Sequence, residues 1–169
     1  MSFIKRGYIL TLLALLAAPQ VFAANISFLV AETGLREDSP VNESSSLWET
    51  GLLDVFFDAG HIVSNAPIMS LTETPNQELP DEVRGNMEEA LRGGADFFVL
   101  ALLDYHGSTA AASKISPQRV SLRLFKMSPY QFLYEQVYVP RGQEALGNEL
   151  VKVKELVRFL IPHLDAADE

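Results

Sequence analysis

Gly93-Gly94-Ala95-Asp96-Phe97-Phe98-Val99-Leu100-Ala101-Leu102-Leu103-Asp104-Tyr105 is the stretch on which the fold turns. The two glycines end a helical segment. Seven apolar residues then run from Phe97 to Leu103 with both parities filled. A strand that is apolar on both sides is buried on both faces, so it belongs inside a sheet covered from two sides. A buried helix fits less well, because the run is short, led by glycine and rich in aromatics.

Upstream, Ile26–Ala31 reads as a first strand and Glu32–Ser45 as a polar loop. Ser46-Leu47-Trp48-Glu49 has the form of a capping box, in which Ser46 and Glu49 satisfy each other's backbone amides. Trp48, Leu52, Val55, Phe56 and Ala59 then repeat at helical spacing, and Gly60 is a stop. His61-Ile62-Val63 opens a second strand that ends near Met69. Pro80, Asp81 and Glu82 suit the start of a second helix, with Val83, Met87, Ala90 and Leu91 as its apolar side.

Downstream of the central strand, His106–Ser116 is a polar loop. Val120–Lys126 and Gln131–Val139 form a hairpin turned at Ser128-Pro129. Leu146, Leu150, Val153, Val157, Leu160 and Leu164 mark a last helix, which Pro162 is placed to shorten. This stripe suits docking on a sheet, with a coiled-coil seam as the alternative. The fold class is therefore α/β, a mixed sheet flanked by helices, in the order strand, helix, strand, helix, strand, hairpin, helix.

Residues 1–23 read as a signal peptide: Lys5-Arg6, then an apolar run from Ile9 to Ala18, then small residues at Ala23 and Ala24. The apolar run falls short of the ~20 residues of a membrane span. Residues 24–169 are then one α/β domain in the periplasm, soluble, with no later transmembrane segment. The 169 residues contain no cysteine, so there is no disulfide and no lipidated cysteine anchor.

The net charge is −9 and uneven. Between Ala24 and Ala110 only Arg36, Arg84 and Arg92 oppose fifteen acids; beyond, eight bases meet seven acids. Nucleic acid needs a basic footprint, so it is excluded as a partner. The charge serves solubility, or presents an acidic face to a basic partner.

Three constellations are candidates for chemistry. Asp54, Asp58 and His61 are donor types suited to a metal, but they fall where a helix carries solvated charge anyway. No metal and no cofactor is expected. Asp104, Tyr105 and His106 follow the central strand, where open α/β sheets bind ligands. His106 there is a candidate general base with Ser108 nearby. No nucleophile elbow, phosphate loop or zinc-helix motif accompanies it. His163, near the carboxyl end of the last helix, is a favourable charge at a helix terminus. The hairpin carries Arg123, Phe125, Phe132, Tyr134 and Tyr138. With an even loop length these share one face, opposite Val120, Leu122, Leu124, Leu133, Val137 and Val139. That aromatic face is either core or a surface for a partner.

The helix–glycine–strand unit Leu52–Val63, Gly94–Leu100 and the hairpin Val120–Val139 resemble the amino-terminal domain of TolB. They are also similar to the periplasmic domains of the penicillin-binding-protein activator lipoproteins (LpoB) and of the curli secretion protein CsgG. Lipoprotein members carry a lipidated cysteine, and this chain has none. Its hairpin turns through Met127-Ser128-Pro129-Tyr130 rather than an Asp/Gly turn. The resemblance implies a non-enzymatic envelope module that works through contacts with another envelope protein. The alternatives are a small-ligand binder or a hydrolase with a site near Tyr105 and His106.

Overall fold

The computed structural model describes residues 23–35, 40–75, 78–106, 115–140 and 146–167. The expected signal peptide and most of the His106–Ser116 loop lie outside the described residues. The elements are β1 (Asn25–Thr33), α1 (Glu43–Asp58), β2 (Ile62–Asn65), β3 (Met69–Leu71), α2 (Asp81–Arg92), β4 (Phe97–Asp104), β5 (Arg119–Met127), β6 (Tyr130–Tyr138), α3 (Leu146–Arg158) and α4 (Ile161–Asp165).

The sheet order is β2-β1-β4-β5-β6, with β3 also on β1. β1 pairs in parallel with β2, β3 and β4, while β4, β5 and β6 are antiparallel. The sheet is thus mixed, and β4 lies inside it with Phe97–Leu103 buried throughout. Its odd residues Phe97, Val99, Ala101 and Leu103 join Ile26, Phe28 and Val30 in the core under α1, α3 and α4. Its even residues Phe98, Leu100 and Leu102 join Leu29, Ala31, Val83 and Met87 under α2. Helices therefore cover both faces, as the doubly apolar strand requires.

Local departures from the sequence reading have identifiable causes. The first helix begins at Glu43, not after Ser46: Asn42 is its cap, accepting from the Ser44 amide through Oδ1 at 3.0 Å. Ser44 and Ser45 are helical and buried, so the Glu32–Ser45 loop is shorter than expected. The second strand is two short ones, β2 and β3, separated by Ala66-Pro67-Ile68; proline has no amide to donate to a ladder. The last helix breaks after Arg158, and α4 restarts with Pro162 in its first turn. Both halves keep the stripe on the sheet, with Val153, Val157, Leu160 and Leu164 buried. Gly51 permits the close crossing of α1 and α3, since a Cβ there would come within 2.4 Å of Val153 Cγ1.

The hairpin carries the largest correction. Near the turn, where the Ser128–Pro129 peptide is cis, Met127↔Tyr130, Lys126↔Gln131 and Phe125↔Phe132 follow the even-loop register. A register shift between Leu124 and Phe125 then makes Leu133 an extra residue, and the pairs become Leu124↔Tyr134, Leu122↔Gln136 and Val120↔Tyr138. One extra residue exchanges the faces of everything beyond it. Arg123, Phe125 and Phe132 remain on the α2 face. Tyr134 and Tyr138 move to the α3 face, packed against the core there. The single face of five does not form.

Candidate functional site

The carboxyl ends of β1 and β4 meet the amino end of α1 in a buried polar cluster. The Asn42 amide donates to Glu32 Oε1 at 3.1 Å. Ser44 Oγ donates to the Glu149 carboxylate of α3. The Tyr105 hydroxyl and Ser45 Oγ are 2.8 Å apart. Two carboxylates beside a helix amino terminus are favourably placed against its positive end. Burial pushes the Tyr105 phenol above its ordinary value, outweighing the hydrogen bonds from Ser45 and Ser44. Tyr105 is fully buried. Its hydroxyl ties the end of β4 to α1.

Asp104 and His106 stand at the rim of this cluster. Asp104 Oδ1 lies 2.6 Å from His106 Nδ1 and accepts the His106 amide at 2.9 Å. Gly34, at φ +78°, lets the chain after β1 press against them; a Cβ there would fall 2.5 Å from the His106 nitrogen. The carboxylate orients the imidazole, an arrangement that can serve a base. Of the three residues, Asp104 and His106 are brought together and Tyr105 points into the core. A cavity of about 10 Å³ lies nearby between Trp48, Ser116, Tyr138 and Glu149, with room for one water molecule.

The Asp54, Asp58 and His61 grouping comes apart. His61 is buried: its Nδ1 lies 3.3 Å from the Ala24 amide, and its ring meets Phe56 edge-on. Asp54 pairs with Lys154 of α3 at 2.7 Å, and Asp58 faces solvent. His163 stacks on Tyr134 with ring centroids 3.9 Å apart. Among the described residues, no group of three or more histidines and acids is placed to hold a metal.

Apolar side chains lie open along β6, an edge strand among the described residues, and just past its end. Phe132 is 51% exposed, Val137 44% and Val139 59%. Phe125, beneath Phe132, is buried and touches it edge-to-face. Arg123 Nε donates to Glu135 Oε1 at 2.9 Å, and Ser121 Oγ donates to the same oxygen at 2.6 Å. Burial alone would raise the Glu135 carboxyl, but Ser121, Arg123 and the charge of Arg119 hold it below its ordinary value. The bulge and this charge are devices that keep an edge from pairing indiscriminately. At the turn, Tyr130 stacks on Phe125 and closes a groove of about 330 Å³ with Leu79, Met87, Leu91 and Met127. Sequence reasoning missed this groove. Exposed Leu91, on the apolar side of α2, was its one local sign.

No protein-family model matches the chain, and no curated protein matches it. Solved structures similar to it include a dodecameric PelC variant from Paraburkholderia phytofirmans, at 12% identity and TM-score 0.47, covering 83% of this chain and 89% of that one. TolB from Acinetobacter baumannii matches at 11% identity and TM-score 0.40, covering 82% of this chain and 28% of that one. The LpoB carboxyl-terminal domain from Escherichia coli matches at 10% identity and TM-score 0.39, covering 78% and 94%. TolB and LpoB, two proteins that the sequence resembles, are thus among the similar structures. At these TM-scores the likeness goes no further than the arrangement of strands and helices. No helix among the described residues is long and apolar enough to cross a membrane.

Proposed function

We propose that this chain is an exported, soluble, non-enzymatic protein of the periplasm that works by binding another protein of the cell envelope. The observation that carries this reading is the row Phe132, Val137 and Val139 on an edge strand, each exposed over two-fifths or more of its surface. An edge strand with outward apolar side chains offers a partner both backbone hydrogen bonds and pockets. Phe132 is the contact that this reading retains from the aromatic hairpin. The leader-like amino terminus, the absence of cysteine and the acidic composition support export and solubility.

The test is a photo-crosslinking amino acid at position 132 of the full chain, in growing cells, with Glu89 on exposed α2 as the control position. A discrete adduct at 132 but not at 89, in the osmotic-shock fraction, is expected. Equal labelling at both positions, or no adduct at 132, would sink the proposal.

A further inference from the structure

We propose that two copies of this chain pair through α2, the helices antiparallel about a two-fold axis and each presenting the flank that faces the hairpin. Val83 and Met87 turn α2's buried side to the sheet. With about 100° between successive residues, Leu91, Arg84, Glu88, Asp81 and Arg92 all fall on the hairpin flank. Asn86 lies on the other flank, its Nδ2 3.9 Å from Met69 Sδ.

Along that flank the charges read Asp81, Arg84, Glu88, Arg92: negative, positive, negative, positive. The order is its own complement when reversed. A second helix laid antiparallel, centred near Asn86 and Met87, sets Asp81 against Arg92 of the other copy and Arg84 against Glu88. Both contacts then occur twice, as an isologous interface requires. The same arrangement brings Leu91 of one copy over the Leu79 end of the other's groove. Leu91 is 46% and Tyr130 62% exposed, so there is apolar surface to cover.

Within one copy these charges already pair, Arg84 with Asp81 and Arg92 with Glu88, the latter at 3.8 Å. Both pairs are open to solvent and individually weak. The second copy gives each charge another partner, and burial of Leu91 and Tyr130 adds the non-directional share. The repulsion of two chains at −9 each opposes this, so the dimer forms at micromolar concentration rather than below.

Sedimentation equilibrium of the full chain tests the proposal. Wild type is expected to dimerise. Arg84→Glu, and separately Glu88→Arg, should each weaken the dimer about tenfold or more, since each sets like charges together at two places. The double variant Arg84→Glu/Glu88→Arg should recover it, because the pairs between copies are then merely reversed. That variant has two like-charge pairs within the helix, 81/84 and 88/92, as many as either single variant, so an effect acting through helix stability would persist instead of recovering. Leu91→Glu should also weaken the dimer, while Phe132→Ser should leave it unchanged. A monomeric wild type at high micromolar concentration, or a double variant no better than the singles, overturns the inference. Neither result bears on the β6 surface.

Discussion

On one side of the sheet, α1, α3 and α4 seal Ile26, Phe28, Val99, Leu103 and Leu122 beneath them, and burial extends to Tyr134 and Tyr138 on the edge strand. On the other side, among the described residues, α2 is the one helix. It covers Leu29, Ala31, Phe98 and Leu100 and reaches Phe125 and Met127, but Phe132 and Val137 lie beyond it. The difference is one of width. Strands lie about 4.8 Å apart and a helix is about 10 Å across, so one helix covers roughly two strands. Among the described residues, two long helices span the first face, and a single one leaves the β5–β6 margin of the second open. The closed face supplies stability, and the open one supplies surface.

That contrast can be broken first in the cores. Phe56→Ala, under the closed face, should cost about 3–5 kcal/mol; Met87→Ala, under α2 beside the groove, should cost about 2 kcal/mol, since thioether and groove can adjust. Urea denaturation measures both, and equal costs would mean that the faces are packed alike.

Tyr105→Phe sharpens the comparison, because its hydroxyl belongs to the closed face. It should lose about 1 kcal/mol near neutral pH through the hydrogen bond to Ser45. Because burial raises the phenol, the folded chain holds this proton to higher pH than the unfolded chain. Its stabilisation is therefore complete below about pH 10, the unfolded value, and is lost as pH rises beyond it. Unfolding curves on either side of that pH should show an alkaline loss in wild type that shrinks in the variant. The smallest effect belongs to the open margin: Phe132→Ser should change stability by no more than about 0.5 kcal/mol. A thermal melt showing a larger loss would make Phe132 core rather than surface.

The sequence made most of this architecture legible through local signals. The doubly apolar run at Phe97–Leu103 placed the central strand, glycines marked the helix ends at 60 and 93, and the leucine–valine stripe placed the last helix. What it concealed was decided at a distance. Ser44 and Ser45 look like loop residues until Glu149 and Tyr105 arrive to bond them, so the true start of α1 could not be read locally. His61 looks like a solvent-side ligand until Ala24 and Phe56 enclose it. Pro67 was visible, and its exclusion from a continuous ladder could have been anticipated. The bulge could not, because Leu133 looks like any other strand residue, and only packing of Tyr134 and Tyr138 against α3 and α4 makes the shift worthwhile. The candidate surface depended on that hidden residue, which is why its membership changed.

Leu133 also bears on how this surface could be altered over time. A substitution at the edge strand edits one side chain, but deleting Leu133 would remove the extra residue and leave a regular ladder, since Phe132 already faces Phe125 and Tyr134 already faces Leu124. Tyr134 and Tyr138 would stay against the core, and Phe132 and Val137 would stay outward. A single lost codon would straighten the strand yet keep its outward face, whereas a second inserted residue beyond Phe132 would turn the tyrosines out.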